Sequence, residues 1–322
     1  MSPFCLDFGV LERGSRDKDK PCGDAIVPAA VGMLQQFGLD QETFELLGGY
    51  PFRQMKVYDR LGRLTQHRTA DRRGWITPRA RLDQRLRDIT AFFAQIRYQA
   101  TVTELIVEPS GSLKLTIKTA DQVEVQPFDA TVIAHGSGGA LARRLMIDGR
   151  PIVAAAISQY SILANIEAPQ FQFIEGIWPG YGWVFPVTEE RVNIGVCALS
   201  PLTTTRLRSV MDTFVKDSGG SEYSPNRGGG AWLWSGSGSR WHHPAGIVSC
   251  GDAAGLVDPV SGEGITAALV SGERAGIALY LFLREGRNGA RLEEYSRWIK
   301  EYFNRQYFGP SGASLNRDLW GV

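Results

Sequence analysis

The sequence carries no surplus of either charge: 35 Lys and Arg stand against 34 Asp and Glu over 322 residues. Net charge therefore gives no case for nucleic acid as a partner, nor for an acidic membrane surface. Long apolar runs are scarce. Ile277 to Leu283 is the longest in the C-terminal third and reads as part of a core helix, so no transmembrane segment is expected. The N-terminus lacks the basic, apolar and small-residue order of a signal peptide, and the expected location is cytoplasmic. The four cysteines, Cys5, Cys22, Cys197 and Cys250, lie far apart without a C-x-x-C pair, which argues against a zinc site or a disulfide framework. Cys5 and Cys250 read as small buried hydrophobes. No internal repeat or low-complexity block is present.

What the chain does have is a sharply punctuated stretch from Ile247 to Gly276. An apolar run, Ile247 to Cys250, stops at Gly251-Asp252 and passes through a loop rich in Pro and Gly. It resumes with helical spacing at Ile265, Ala268, Leu269, Gly272, Ala275, Gly276 and Leu279. Strand, loop and helix in that order place one carboxylate, Asp252, beside the free N–H groups of a helix start, a combination suited to a polar ligand. Within it Gly262-Glu-Gly264-Ile-Thr-Ala267 satisfies G-x-G-x-x-A, but Asp258-Pro259 precedes it where a dinucleotide fingerprint needs a strand, so it is not read as one.

Earlier in the chain, Leu6 to Glu12 reads as a strand ending in an acid, the position at which a carboxylate accepts ribose hydroxyls in a dinucleotide-binding unit. Val31, Leu34 and Phe37 have helical spacing that stops at Gly38, and Tyr50 to Thr69 reads as strands. A helix is predicted from Trp75-Ile-Thr-Pro-Arg79 to about Ile96, followed by strands at 102–107, 113–119 and 123–126. Ala130 to Arg143 reads as strand, glycine loop and helix start, with His135 at the strand end taken as a structural histidine. Phe171 to Ile177 and Tyr181 to Pro186 alternate, so their aromatics project from one sheet face as an apolar wall. Leu202 to Val215 is helical, Gly219 to Ser239 reads as a flexible connection, and Leu292 to Phe303 is a last polar helix.

Four of these segments resemble a known family. Gly251-Asp252-Ala-Ala-Gly255 with Pro259, Gly262, Gly264 and Ile265 is similar to the second flavin motif of aromatic-hydroxylase-like flavoproteins, closest to the geranylgeranyl reductases. Lys20-Pro-Cys22-Gly23-Asp24 resembles their K-x-C-G-G signature, with Asp24 for the second Gly. Arg79-x-x-Leu82-Asp83 resembles R-x-x-F-D, and Tyr181-x-Trp183-x-Phe185-Pro186 resembles Y-x-W-x-F-P, with Cys197 for that signature's last Gly. His135 stands where the superfamily's D-G motif has Asp.

The resemblance implies an α/β fold of mixed α+β type: a three-layer, Rossmann-like FAD-binding domain (1–50, 76–145 and 236–290), an antiparallel-sheet substrate domain (51–75 and 146–235) and a C-terminal helix and tail (291–322). It implies FAD held by Glu12, Arg79, Val102, Gly251, Asp252, Pro259, Gly262, Gly264 and Ile265, with Cys22 catalytic and Tyr181, Trp183 and Phe185 against a small isoprenoid-like substrate. NAD(P)H or a ferredoxin would supply electrons, and peripheral membrane contact is compatible with such a substrate. The implied reaction is reduction of carbon–carbon double bonds in a polyprenyl chain. Two alternatives stay open: an FAD monooxygenase of aromatic or polyketide substrates, and a non-catalytic remnant. The family's G-x-G-x-x-G turn needs about 30 residues of strand, turn and helix, and only eleven precede Glu12. Truncation of an ordinary family member is the favoured expectation, natural loss of FAD binding the other.

Overall fold

The computed structural model describes residues 7–137, 139, 141, 144, 152–177, 180–199, 204–222, 231–235, 241–258 and 261–307. Its dominant feature is a nine-stranded sheet. The strands are β2 (Ala25–Ile26), β3 (Tyr50–Tyr58), β4 (Leu64–Ile76), β10 (Ile152–Ile162), β11 (Gln170–Phe173), β12 (Gly180–Pro186), β13 (Arg191–Leu199), β14 (Ser221–Glu222) and β15 (Ala231–Ser235). They run in the order β14-β10-β13-β12-β11-β3-β4-β2, with β15 also on β10. The two segments assigned separately to a substrate domain thus share one sheet. It is mixed rather than antiparallel, because β11 pairs β3 in parallel.

Three smaller sheets hold the remaining strands. In the first, β1 (Gly9–Leu11) pairs in parallel with β5 (Gln95–Arg97). The second is β16 (His242–His243), β17 (Ile247–Ser249) and β9 (Thr131–Ile133), with β17 and β9 parallel. The third is the meander β6 (Thr101–Val107), β7 (Leu113–Lys118) and β8 (Val123–Phe128), at the expected positions.

The helices are α1 (Pro28–Gln35), α2 (Gln41–Leu46), α3 (Arg79–Ala91), α4 (Thr204–Asp217), α5 (Ile265–Arg284) and α6 (Ala290–Tyr307). Pro28 opens α1, where its missing N–H costs nothing. Asp40 caps α2 by accepting from Thr43 N–H at 2.9 Å. Several expectations are corrected. Helix α3 stops at Ala91, and the chain turns into β5 rather than running helical to Ile96. Phe37 lies beyond α1 and is exposed. Ala231–Ser235 is no flexible connection but strand β15. Helix α5, at 20 residues with a mean hydropathy of 1.3, is long and apolar enough to cross a membrane, although the sequence showed no such unbroken run. Gly272, Glu273 and Arg274 interrupt the run without ending the helix. Its Ala275, Ala278, Leu279 and Phe282 pack against Leu292, Tyr295 and Ile299 of α6.

Candidate active site

Strand alternation sets the site's first wall. Tyr181, Trp183 and Phe185 share one face of β12, and the register places Cys197, Gly195 and Asn193 of β13 opposite them. Tyr160 of β10 pairs with Asn193 and continues that face. The Trp183 indole lies against Gly195, where an added Cβ would come within 2.1 Å of it, so only glycine allows this packing. Phe171 of β11 meets Tyr181 and Phe185 edge-on, with centroids 5.6 and 5.1 Å apart. Trp183 and Phe185 are 6% and 5% exposed, so they are packed core residues and not the lining of an open channel.

The segment Lys20 to Asp24 lies on this wall. Gly23 rests against Phe185 and Trp183, and the Cys22 carbonyl accepts from Asn193 Nδ2 at 2.7 Å. Asp24 is 2% exposed and sits at φ +64°, a left-handed conformation open to Asp at some cost. Its carboxyl accepts from Tyr160 Oη (2.5 Å), Asn193 Nδ2 (2.9 Å) and the Arg79 N–H (3.1 Å). Burial pushes its pKa up, against the pull of those three donors. Asn193 in turn accepts from Trp183 Nε1 at 3.0 Å. One carboxyl therefore fixes the turn, the start of α3 and the central indole.

Arg79 forms a two-pronged pair with Asp83, at 2.8 and 3.1 Å, with Cys22 close by. Burial opposes its charge, but Cys22 and Asp83 outweigh that and raise its pKa. Arg79 thus stands beside Cys22 as a largely buried cation.

The second wall is the glycine loop. Ile247–Ser249 is fully buried, and Gly251–Ala254 forms one 3-10 turn ended by Gly255 in the left-handed region. Asp258 Oδ1 accepts from Ser261 N–H at 3.1 Å and shapes the loop before α5. Helix α5 starts at Ile265, and Glu263 caps it by accepting from Thr266 N–H at 2.7 Å. At Gly264 a Cβ would press within 2.9 Å of Asp252 Oδ1, so the loop closes on that carboxylate only with glycine. Among the described residues, Glu263 Oε2 and Thr266 Oγ1 are buried with no hydrogen-bond partner. Burial raises the Glu263 pKa to about 7.

Two contacts join the walls. Lys20 Nζ meets Asp252 Oδ2 at 3.5 Å, and Tyr181 Oη donates to the Ser261 carbonyl. Burial, then Cys197, Asp258 and Cys22 nearby, push the Tyr181 pKa well up. Cys22, Arg79, Tyr181, Asp252, Gly262, Gly264 and Ile265 therefore belong to one neighbourhood. Cys197, pushed up to about 12 by burial, stays a thiol within it. Pro259 lies outside the described residues. Glu12 and Val102 belong to a second neighbourhood: Glu12 accepts from the Gly14 N–H at 2.5 Å, and residues 97–100 run alongside it through the Glu12 N–H to Arg97 O and Ala100 N–H to Glu12 O bonds.

An orphaned carboxyl oxygen, a loop that closes only on glycine and a buried helix start fit the ribityl and ring portion of FAD. Cavities of about 200 and 290 Å³ lie elsewhere, neither lined by these residues. Among the described residues no group of three His, Cys, Asp or Glu could hold a metal ion.

No family model matches the chain. It is 27% identical over 310 residues to a menaquinone reductase of Mycobacterium tuberculosis, covering 89% of this chain and 72% of that one. It is 28% identical over 257 residues to digeranylgeranylglycerophospholipid reductase 2 of Methanothermobacter thermautotrophicus, covering 77% and 64%. The chain thus has homologues named menaquinone reductase and digeranylgeranylglycerophospholipid reductase. Its fold agrees: a geranylgeranyl bacteriochlorophyll reductase-like protein from Thermoplasma acidophilum superposes with a TM-score of 0.82 at 18% identity, covering 98% of this chain and 84% of that one. A flavin-dependent brominase superposes with a TM-score of 0.77 at 16% identity, over 98% and 87%. The fold is thus shared by a reductase-like protein and a flavin-dependent brominase.

The sequence reading missed Asp24, Tyr160, Asn193 and Glu263 at this site. The available signal was Asp24 itself: an Asp where the motif has Gly must adopt the glycine backbone, which calls for side-chain partners.

Proposed function

We propose that this geranylgeranyl reductase relative is an FAD-dependent reductase of carbon–carbon double bonds in a polyprenyl chain. The observation that carries the reading is the joining of the cysteine turn, the aromatic wall and the glycine loop through Lys20–Asp252 and Tyr181–Ser261. When bound, FAD supplies the hydride. Asp252 would accept ribityl hydroxyls, the backbone of Gly262, Gly264 and Ile265 would hold the ring portion, and Glu263 holds a proton at Oε2. Tyr181, backed by Trp183 and Phe185, aligns the apolar chain and keeps water out. The Cys22 thiol, held by Arg79, delivers the proton that completes addition across the double bond. Glu12 and Val102 take the adenosine end, with NAD(P)H or a ferredoxin as electron donor.

The test is reconstitution with FAD followed by anaerobic reduction in the presence of polyprenyl substrates. Gain of two mass units per double bond is the expected product, lost in Cys22→Ala with flavin still bound. Oxygen consumption stimulated by an aromatic substrate, with no saturated product, would replace this reading by that of a monooxygenase.

A further inference from the structure

Away from the glycine loop, the β3–β4 hairpin concentrates positive charge. Between Tyr50 and Ile76 seven Lys and Arg residues face two Asp, a surplus of five in a chain whose net charge is +1. The pairing explains where part of it goes. Phe52 pairs with Gly74 and Gln54 with Thr69, so Arg53 alone opposes the four residues Ala70–Arg73 in a wide bulge. The bulge aims Arg72 and Arg73 at the cavity of about 290 Å³ that Arg53 also lines, with α1 as the facing wall. Arg72 lies over Gly32 of α1, its Nη1 3.7 Å from where a Cβ would stand. Arg73 stacks above Trp75 at 5.6 Å, and Trp75 is itself clamped on Phe44 with ring centroids 5.3 Å apart.

Among the described residues none of Arg53, Arg72 and Arg73 forms an ion pair, and Asp71 is the one carboxylate in the lining. Three guanidiniums lining one cleft with no ion-pair partner among the described residues repel one another, an arrangement stabilised by an anion that bridges them. The volume falls just below the roughly 300–1,000 Å³ of pockets that take drug-sized molecules, which suits a small, densely charged group.

We propose that this cleft binds a phosphate-type dianion, a phosphomonoester or diphosphate group, through Arg53, Arg72 and Arg73. The group is either a free ion or the head of an amphiphile. The site stands apart from the glycine loop, so it does not depend on the flavin reading.

Calorimetric titration of the full chain with inorganic diphosphate tests it. Binding that weakens with salt is expected, with a loss of about tenfold for Arg53→Ala or Arg72→Ala and about a hundredfold for the pair. Asp71→Asn should tighten binding several-fold, a gain that no folding defect would mimic. Both arginines are exposed, so the variants are expected to keep the parent unfolding temperature. Co-sedimentation with phosphatidic acid vesicles, against phosphatidylcholine vesicles, separates the sources: Arg72-dependent capture assigns a lipid head, and diphosphate binding alone assigns a free ligand. No diphosphate binding, or binding undiminished in Arg53→Ala/Arg72→Ala, overturns the proposal.

Discussion

The large sheet and the small parallel sheets differ in how completely they bury their apolar residues. On β12 and β13 the inward side chains are closed off: Val192, Ile194, Val196 and Ala198 of β13 are fully buried, and the cysteine turn covers the aromatic face of β12. The parallel pairs β1–β5 and β9–β17 form two separate sheets, and Val10 and Val132 on them are exposed, as is Ile277 on α5. Parallel sheets are ordinarily covered on both faces. Packing in this chain therefore closes off the aromatic wall, while the neighbourhood of Glu12 rests on the short, partly exposed β1–β5 pairing.

Removing the central indole breaks that comparison most forcefully. Trp183→Ala should cost about 3–5 kcal/mol in urea unfolding, because neither Gly195 nor Gly23 can collapse into the void. Val132→Thr on the exposed side should stay within about 0.5 kcal/mol. Equal costs at the two positions would mean that the large sheet is not the tighter of the two.

A pH experiment sharpens the picture on the glycine loop. Glu263 has its pKa raised from 4.5 to about 7, so the folded state holds its proton more tightly than the unfolded chain. Between those values stability falls as pH rises, and above about 7 the buried charge costs roughly 3 kcal/mol. Glu263→Gln should remove that cost: thermal unfolding at about pH 8 rises in the variant, whereas at about pH 5 the two proteins unfold together. A variant no more stable at the higher pH would show that the carboxyl stays solvated.

Much of this was legible in the chain, and the exceptions have a common cause. Alternation at Tyr181, Trp183 and Phe185 marked their shared face, and the glycine punctuation marked strand, loop and helix from Ile247 onward, the loop proving to open with a 3-10 turn. Hidden were contacts that depend on distant partners: β11 beside β3, the bulge opposite Arg53, and the bonds from Tyr160 and Asn193 to Asp24. Asp24 read only as a departure from a motif, since a positive φ and three donors appear only once the strands meet. Asp24→Asn tests that network with a smaller effect. Asn tolerates the left-handed backbone, but its amide group turns a donor toward donors, at about 1–2 kcal/mol. Trp183 fluorescence should shift with it, because Asn193 orients the indole, whereas a role in the turn alone would leave the emission unchanged.

The smallest effect on stability belongs to the contact between the walls. Lys20 is half exposed and its 3.5 Å pair with Asp252 is loose, so Lys20→Met should change unfolding by under about 1 kcal/mol. Its consequence lies in ligand binding. An ammonium beside Asp252 competes with hydroxyl donors for the same oxygens, and its loss frees both. If Asp252 serves the ribityl chain, Lys20→Met alters riboflavin affinity several-fold, and Asp252→Asn abolishes the difference between the Lys and Met backgrounds. Identical affinities across all four proteins would place the flavin elsewhere, with the glycine loop reduced to a structural turn.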